Sequence, residues 1–248
     1  MAITINDVSI ITPSYKRAGN VKAINLFGDK LVIACHEFEV KEYQKEYPNN
    51  DIMILPDSTR KNMGKVRNYI YKNCGTKYLL MVDDDVQEIG YTEKGKNYSY
   101  NEEKLYSFIL NGFLMCEDAN TVLWGVRMCE DPCTYHDNAP FTFLSCVLGP
   151  FCGHIIDKKL SYDERLGLNE DYDFALQVLR KYHGILRFER NYYKAGHLTA
   201  KGGCGAYRIL DEEKKQAEIM IKKWGNKVVK YDFSKSTNPR INIPIKGT

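Results

Sequence analysis

The chain has 248 residues, 44% hydrophobic and 27% charged. That is an ordinary globular balance and excludes a wholly disordered, collagen-like or coiled-coil protein. The net charge of +3, from 35 basic and 32 acidic residues, is too mild to mark a nucleic-acid binder by itself, although a local basic patch stays open.

Tyrosines number 18 against 2 Trp, which predicts many half-exposed, hydrogen-bonding rings. The longest apolar run, residues 141–156, is broken by Ser145, Gly149, Pro150, Gly153 and His154. It falls short of the roughly 20 residues a membrane helix needs. The start has no basic stretch leading into an apolar core, so no signal peptide is read and a cytoplasmic protein with no membrane partner is expected. Its eight cysteines then read as reduced thiols. Cys129 and Cys133 resemble half of a zinc site, but no second close pair follows.

In chain order, short apolar runs predict strands at residues 8–12, 31–35, 52–55 and 78–82. Between them, amphipathic stretches predict helices near 19–26, 38–47 and 59–73. This alternation implies βαβ units and a mostly parallel α/β sheet flanked by helices. Ser58 is the expected cap of the third helix, Met63, Val66 and Ile70 its inward face, and Gly75 its stop. Further helices are expected over 102–117, 171–183 and 211–224, and strands over 121–126, 141–148 and 186–192. No linker divides the chain. A single domain over 1–230 is expected, followed by an extended or loosely packed tail over 231–248.

The sharpest motif is the run Tyr78-Leu-Leu-Met-Val82 followed by Asp83, Asp84 and Asp85. A fully apolar run predicts a buried central strand. Its carboxyl end is where open α/β sheets bind ligands. Side chains alternate in extended chain, so Asp83 and Asp85 can point together while Asp84 points away. Two converging carboxylates repel unless a cation joins them, and Mg²⁺ or Mn²⁺ suits hard oxygen donors. The plain alternative is a solvated acidic turn.

With this triplet the chain resembles glycosyltransferases of the GT-A fold, family-2-like, which carry an Asp-x-Asp motif after a core strand. The segment Ile10-Ile-Thr-Pro-Ser-Tyr-Lys-Arg17 resembles the first strand and loop that cup the nucleotide. Asn62-x-Gly64-x-x-Arg67-Asn68 resembles an element beside the nucleotide, and Asn169-Glu170-Asp171-Tyr-Asp173 resembles the segment holding the acceptor base.

The resemblance implies a metal-dependent, inverting hexosyl transfer from a UDP-sugar, with UDP-glucose as the expected donor. Asp83, Asp85 and the late His197 are the implied metal ligands. Thr12, Pro13, Ser14, Tyr15, Arg17, Asn62, Lys65, Arg67 and Asp84 are the implied donor contacts, together with Lys201 and Arg208 of a glycine-rich basic segment suited to anions. Asp84 is expected on ribose or a sugar hydroxyl. Asp171 or Glu170 is the implied catalytic base. For Glu170 and Asp171 the plain alternative is a favourable charge at a helix start. For the lysines and arginines it is a solvated helix face.

A finer resemblance is to the TET/JBP-associated glycosyltransferases of tailed phages, on the Asn-Glu-Asp-Tyr-Asp segment and the later His…Lys-Gly-Gly-Cys…Arg block. It implies a DNA acceptor containing 5-hydroxymethylcytosine and an enzyme working in the cytoplasm of a phage host. Base-modifying enzymes extrude their target. Arg60, Lys61, Lys222, Lys223, Lys227, Lys235, Arg240 and Lys246 are the candidate phosphate contacts. Three other readings stand beside it: transfer to a glycan or lipid-linked sugar, a nucleotidyltransferase, and an inactive nucleic-acid-binding module.

Overall fold

The computed structural model describes residues 3–196, 210–234 and 236–242. Strands β1 (Val8–Pro13), β2 (Leu31–His36), β3 (Ile52–Leu55) and β4 (Tyr78–Val82) pair in the parallel order β3-β2-β1-β4. Helices α1 (Ile24–Phe27), α2 (Val40–Glu46) and α3 (Met63–Asn73) connect them. The apolar run of β4 is fully buried from Leu79 to Val82, as a strand covered on both faces must be.

The second half is more mixed. After the triplet, β5 (Val86–Glu93) and β6 (Lys96–Ser99) form a hairpin, and α4 (Glu102–Asp118) leads to β7 (Leu123–Arg127). The short β8 (Phe141–Thr142) precedes β9 (Phe151–Ile155), helix α5 (Glu170–Tyr182) and β10 (Leu186–Ala195). Strand β9 lies antiparallel between β4 and β7. The described sheet runs β3-β2-β1-β4-β9-β7-β10-β5-β6, with β8 on β10. From their pairings, β1 to β4, β6, β7 and β10 point one way, and only β5, β8 and β9 oppose them. The sheet is therefore mostly parallel in direction, as expected.

Helix α6 (Leu210–Trp224) packs on the hairpin of β11 (Val229–Asp232) and β12 (Ser236–Ile241). The beginning of the supposed tail is thus paired strand. No helix among the described residues is long and apolar enough to cross a membrane.

Two local expectations need correction. Helix α3 starts at Met63, and its cap is Asn62, whose side chain accepts the Lys65 N–H at 2.9 Å, not Ser58. The strand expected at 141–148 shrinks to two residues, and the central strand begins beyond Gly149-Pro150. The hairpin β5–β6 was not expected. Its turn holds Lys94 and Gly95 at φ of +51° and +71°, and a lysine gives no hint of that left-handed backbone.

Candidate active site

The parallel strands bring the ends of β1, β2 and β4 to one edge of the sheet, where the triplet emerges. Asp84 turns inward. Its carboxylate accepts from Ser14 Oγ at 2.7 Å and from Arg17 Nη1, and Ser14 shares a second hydrogen bond of 2.7 Å with the Tyr43 hydroxyl. Burial pushes the Asp84 carboxyl up to about 7, against the pull of Arg17 and Ser14. The neighbouring side chains of Asp83 and Asp85 remain 29% and 20% exposed, against 7% for Asp84. The expected alternation therefore separates one interior carboxylate from two at the surface. Arg17 Nη1 also lies 3.8 Å from Asp85.

Asp83 belongs to a second cluster built on Arg67. That arginine projects from α3 into the core and is 3% exposed. Its Nη2 donates to Asp83 at 2.7 Å, its Nε to Glu170 at 3.0 Å, and its Nη1 to the Gly149 carbonyl at 3.2 Å. Gly149 in turn donates its N–H to Asp171 at 3.1 Å, and the Tyr172 N–H donates to the other Asp171 oxygen at 2.8 Å. Segments distant in sequence thus meet around one guanidinium. A side chain on Gly149 would not fit, since its Cβ would stand 2.3 Å from Arg67 Nη2.

Burial, then the charge of Asp171, pushes the Glu170 carboxyl up while Arg67 pulls it down. Burial also raises Asp171, opposed first by Arg67 and then by the two N–H donors. Asn169, just before the helix, makes no cap hydrogen bond. The acidic start of α5 is therefore engaged with Arg67 and Gly149 and does more than balance a helix dipole.

The profile of the TET-associated glycosyltransferases matches residues 8–203. The chain belongs to that family. The transferase has the GT-A fold, and solved structures share it. The mannosyltransferase PcManGT from Pyrobaculum calidifontis, solved with GDP-Man and Mn²⁺, is 13% identical at a TM-score of 0.54. The match covers 87% of this chain and 64% of that one. Glucosyl-3-phosphoglycerate synthase from Mycobacterium tuberculosis, solved with Mn²⁺, UDP and glucosyl-3-phosphoglycerate, is 9% identical at a TM-score of 0.55, covering 88% and 80%. S. aureus TarS 1-349 in complex with UDP matches at 14% identity and a TM-score of 0.47, covering 88% and 72%. No curated protein matches the chain in sequence.

In the transferase, several residues expected on the donor have protein partners in this structure. Arg67 is enclosed by protein partners. Asp84 is 5% exposed and accepts from Ser14 and Arg17. Thr12 and Pro13 are buried in β1. Asn62 caps α3 and donates to the Glu164 carbonyl at 2.9 Å, while Lys65 Nζ donates to the Ser58 carbonyl at 3.1 Å.

Tyr15 and Arg17 are half-buried beyond the end of β1. The Tyr15 ring meets His36 and Phe38 edge-on at 5.8 and 6.3 Å, and Arg60 lies 4.3 Å over Phe38. His197, Lys201 and Arg208 lie outside the described residues, as do Lys235 and Lys246. Among the basic candidates, Lys223 is engaged by Asp163 and Asp173 at 3.0 and 2.8 Å, and Arg60 by Asp57 at 2.7 Å. Gly149 and Tyr43 were missed from sequence. A Gly-Pro pair before a central strand was the one available signal for the first, and nothing marked the second.

Proposed function

We propose that this transferase moves glucose from UDP-glucose to the hydroxyl of 5-hydroxymethylcytosine in DNA, with inversion, aided by Mn²⁺ or Mg²⁺. The observation that carries the reading is the Arg67–Gly149 junction, which joins the acidic triplet to the Glu170-Asp171 pair at the ligand-binding edge. The Mn²⁺ and nucleotide complexes of the two similar folds support a donor of this class, and the family supports a DNA acceptor.

Asp83 and Asp85 would hold the cation. They supply hard carboxylate oxygens from partly exposed side chains, a donor set that suits Mg²⁺ or Mn²⁺ completed by diphosphate oxygens. Among the described residues no group of three His, Cys, Asp or Glu side chains is gathered to hold an ion alone, and His197 is proposed as the further ligand. When bound, the cation neutralises charge on the departing diphosphate.

Glu170 is committed to Arg67, so Asp171 acts as base. It takes the proton of the acceptor hydroxyl as that oxygen bonds to the anomeric carbon. The bond from that carbon to the diphosphate oxygen breaks, and its electron pair leaves with UDP. Attack opposite the leaving group inverts the carbon. A carboxylate raised by burial is a stronger base than a solvated one. Tyr15 flanks the uridine and Arg17 the phosphates. Lys201 and Arg208 add positive charge over the diphosphate.

The test is incubation with hydroxymethylated duplex DNA and a panel of nucleotide sugars, followed by intact-mass analysis of the nucleosides. A hexose added from UDP-glucose is expected, and no adduct with any donor overturns the DNA reading. Asp171→Asn should lower transfer by roughly 10²–10⁴-fold and keep UDP binding in calorimetry. Lost UDP binding would place Asp171 on the donor instead.

A further inference from the structure

Charge is spread unevenly along the transferase. The family match ends at residue 203. Residues 204–248 carry ten basic and five acidic side chains, a net charge of +5, which leaves −2 for residues 1–203. The described part of this basic segment is locked beside the acidic pair. Gln216 of α6 accepts the Leu168 N–H at 2.8 Å, and Lys223 bridges Asp173 and Asp163. Trp224 Nε1 donates to Asp173 at 2.8 Å, on the same first turn of α5 as Asp171. Lys227 follows Trp224 by three residues, at most about 11 Å of chain.

The hairpin β11–β12 begins there, and its side chains alternate as in a half-buried ribbon. Val229 is enclosed, and Ile241, its partner in the register, packs on the core. Lys230 and Arg240 are paired in the register on the exposed side. Asn242 closes the open end of the ribbon. Its N–H donates to the Val228 carbonyl at 2.8 Å, and its Nδ2 donates to the Lys227 carbonyl at 3.2 Å. Lys227 is therefore held with the ribbon. Among the described residues no carboxylate forms a salt bridge with Lys222, Lys227, Lys230 or Arg240.

Directly opposed cross-strand residues stand with their Cβ atoms about 5 Å apart, and like charges there destabilise the pair. A lysine facing a glutamate would serve solubility as well, without that repulsion. The opposition becomes favourable when an anion sits between the two cations, and a row of cations suits a row of phosphates. We infer that the outer face of β11–β12, with Lys227, Lys230 and Arg240, is a docking surface for the phosphates of duplex DNA. The inference rests on the DNA reading of the acceptor. It gives the segment beyond the family match a grip that positions the duplex without reading its sequence.

The experiment measures binding of a labelled, unmodified duplex by fluorescence anisotropy across a salt series. It compares the wild type with Lys230→Gln/Arg240→Gln and with Lys41→Gln/Lys45→Gln, which removes the same charge from exposed positions of α2. The hairpin variant should bind about tenfold more weakly, with a log–log salt slope shallower by about one to two. Its UDP affinity in calorimetry should be unchanged and its melting temperature equal to or above wild type, since a repulsive pair is removed. The α2 variant should bind as the wild type does. A hairpin variant with wild-type affinity and slope would overturn the inference, and so would an equal loss in the α2 variant. A lowered melting temperature accompanying the loss would also overturn it, because the pair would then be structural. Transfer to a duplex containing 5-hydroxymethylcytosine separates the two readings. Wild-type protein that binds DNA through the hairpin but adds no hexose overturns the acceptor and leaves the surface standing. Transfer that is unaffected in the hairpin variant overturns the surface and leaves the acceptor.

Discussion

Arg17 and Arg67 hold the acidic triplet from two different elements, and they hold it differently. Arg67 comes from the middle of a helix and uses all three of its nitrogens on Asp83, Glu170 and Gly149. Arg17 comes from the loop after β1, grips Asp84, and leaves its Nε without a partner among the described residues. A guanidinium with each of its nitrogens engaged fixes the site's frame. Arg17, half-buried beyond the end of β1, keeps more of its side chain open, 11% against 4%. Motif reading gave both arginines the same role, and only their surroundings separate them.

The contrast breaks most visibly at Arg67. Arg67→Met would strand Glu170 and Asp83 without their shared cation, and should lower unfolding free energy by about 3–5 kcal/mol, the usual cost of removing one partner from a buried ion pair. Urea denaturation measures it; a change below about 1 kcal/mol would show that the frame stands without its guanidinium.

Gly149→Ala sharpens the point with a smaller effect. The added methyl meets a guanidinium that has nowhere to swing, and about 1–3 kcal/mol of destabilisation is expected from overpacking. The same melts report it.

Arg17→Ala should be the mildest for stability and the most dependent on pH. Asp84 already has its carboxyl raised to about 7, so without Arg17 it can take a proton in place of its partner. A raised folded pKa gives stability that is present at low pH and lost as pH rises through that value. The variant should therefore approach wild type at pH 5 and fall behind by about 1–2 kcal/mol at pH 8. UDP affinity should drop about tenfold at either pH, as one charged contact is lost. Equal stability deficits at both pH values would mean that Asp84 stays ionised.

What could be read from the sequence follows from which physical signals are local. The parallel strands announce themselves as apolar runs, and α4 and α5 as 3.6-residue periodicity. The triplet and the Asn-Glu-Asp segment are chemically unusual enough to stand out. Strand β9 was misplaced because residues 141–148 are equally apolar, and only pairing with β4 and β7 selects Phe151–Ile155. The protein partners of Arg67 were not legible because an arginine on an amphipathic helix looks the same in sequence whether it meets solvent, phosphate or a buried carboxylate. Lys223 reads as a surface charge for the same reason, yet it is engaged with Asp173.

The placement of β9 also sets an order of events for a chain emerging from the ribosome. The edge of β4 away from β1 is covered by a strand whose last residue, Ile155, pairs with Tyr78. At ~5–20 residues per second, translation needs on the order of several seconds to supply it. During that interval Leu79 to Val82 present an uncovered apolar edge, the kind of surface that recruits other chains. Stalled or truncated translation products ending before residue 151 should therefore be the aggregation-prone form of this protein, and prime clients for chaperones.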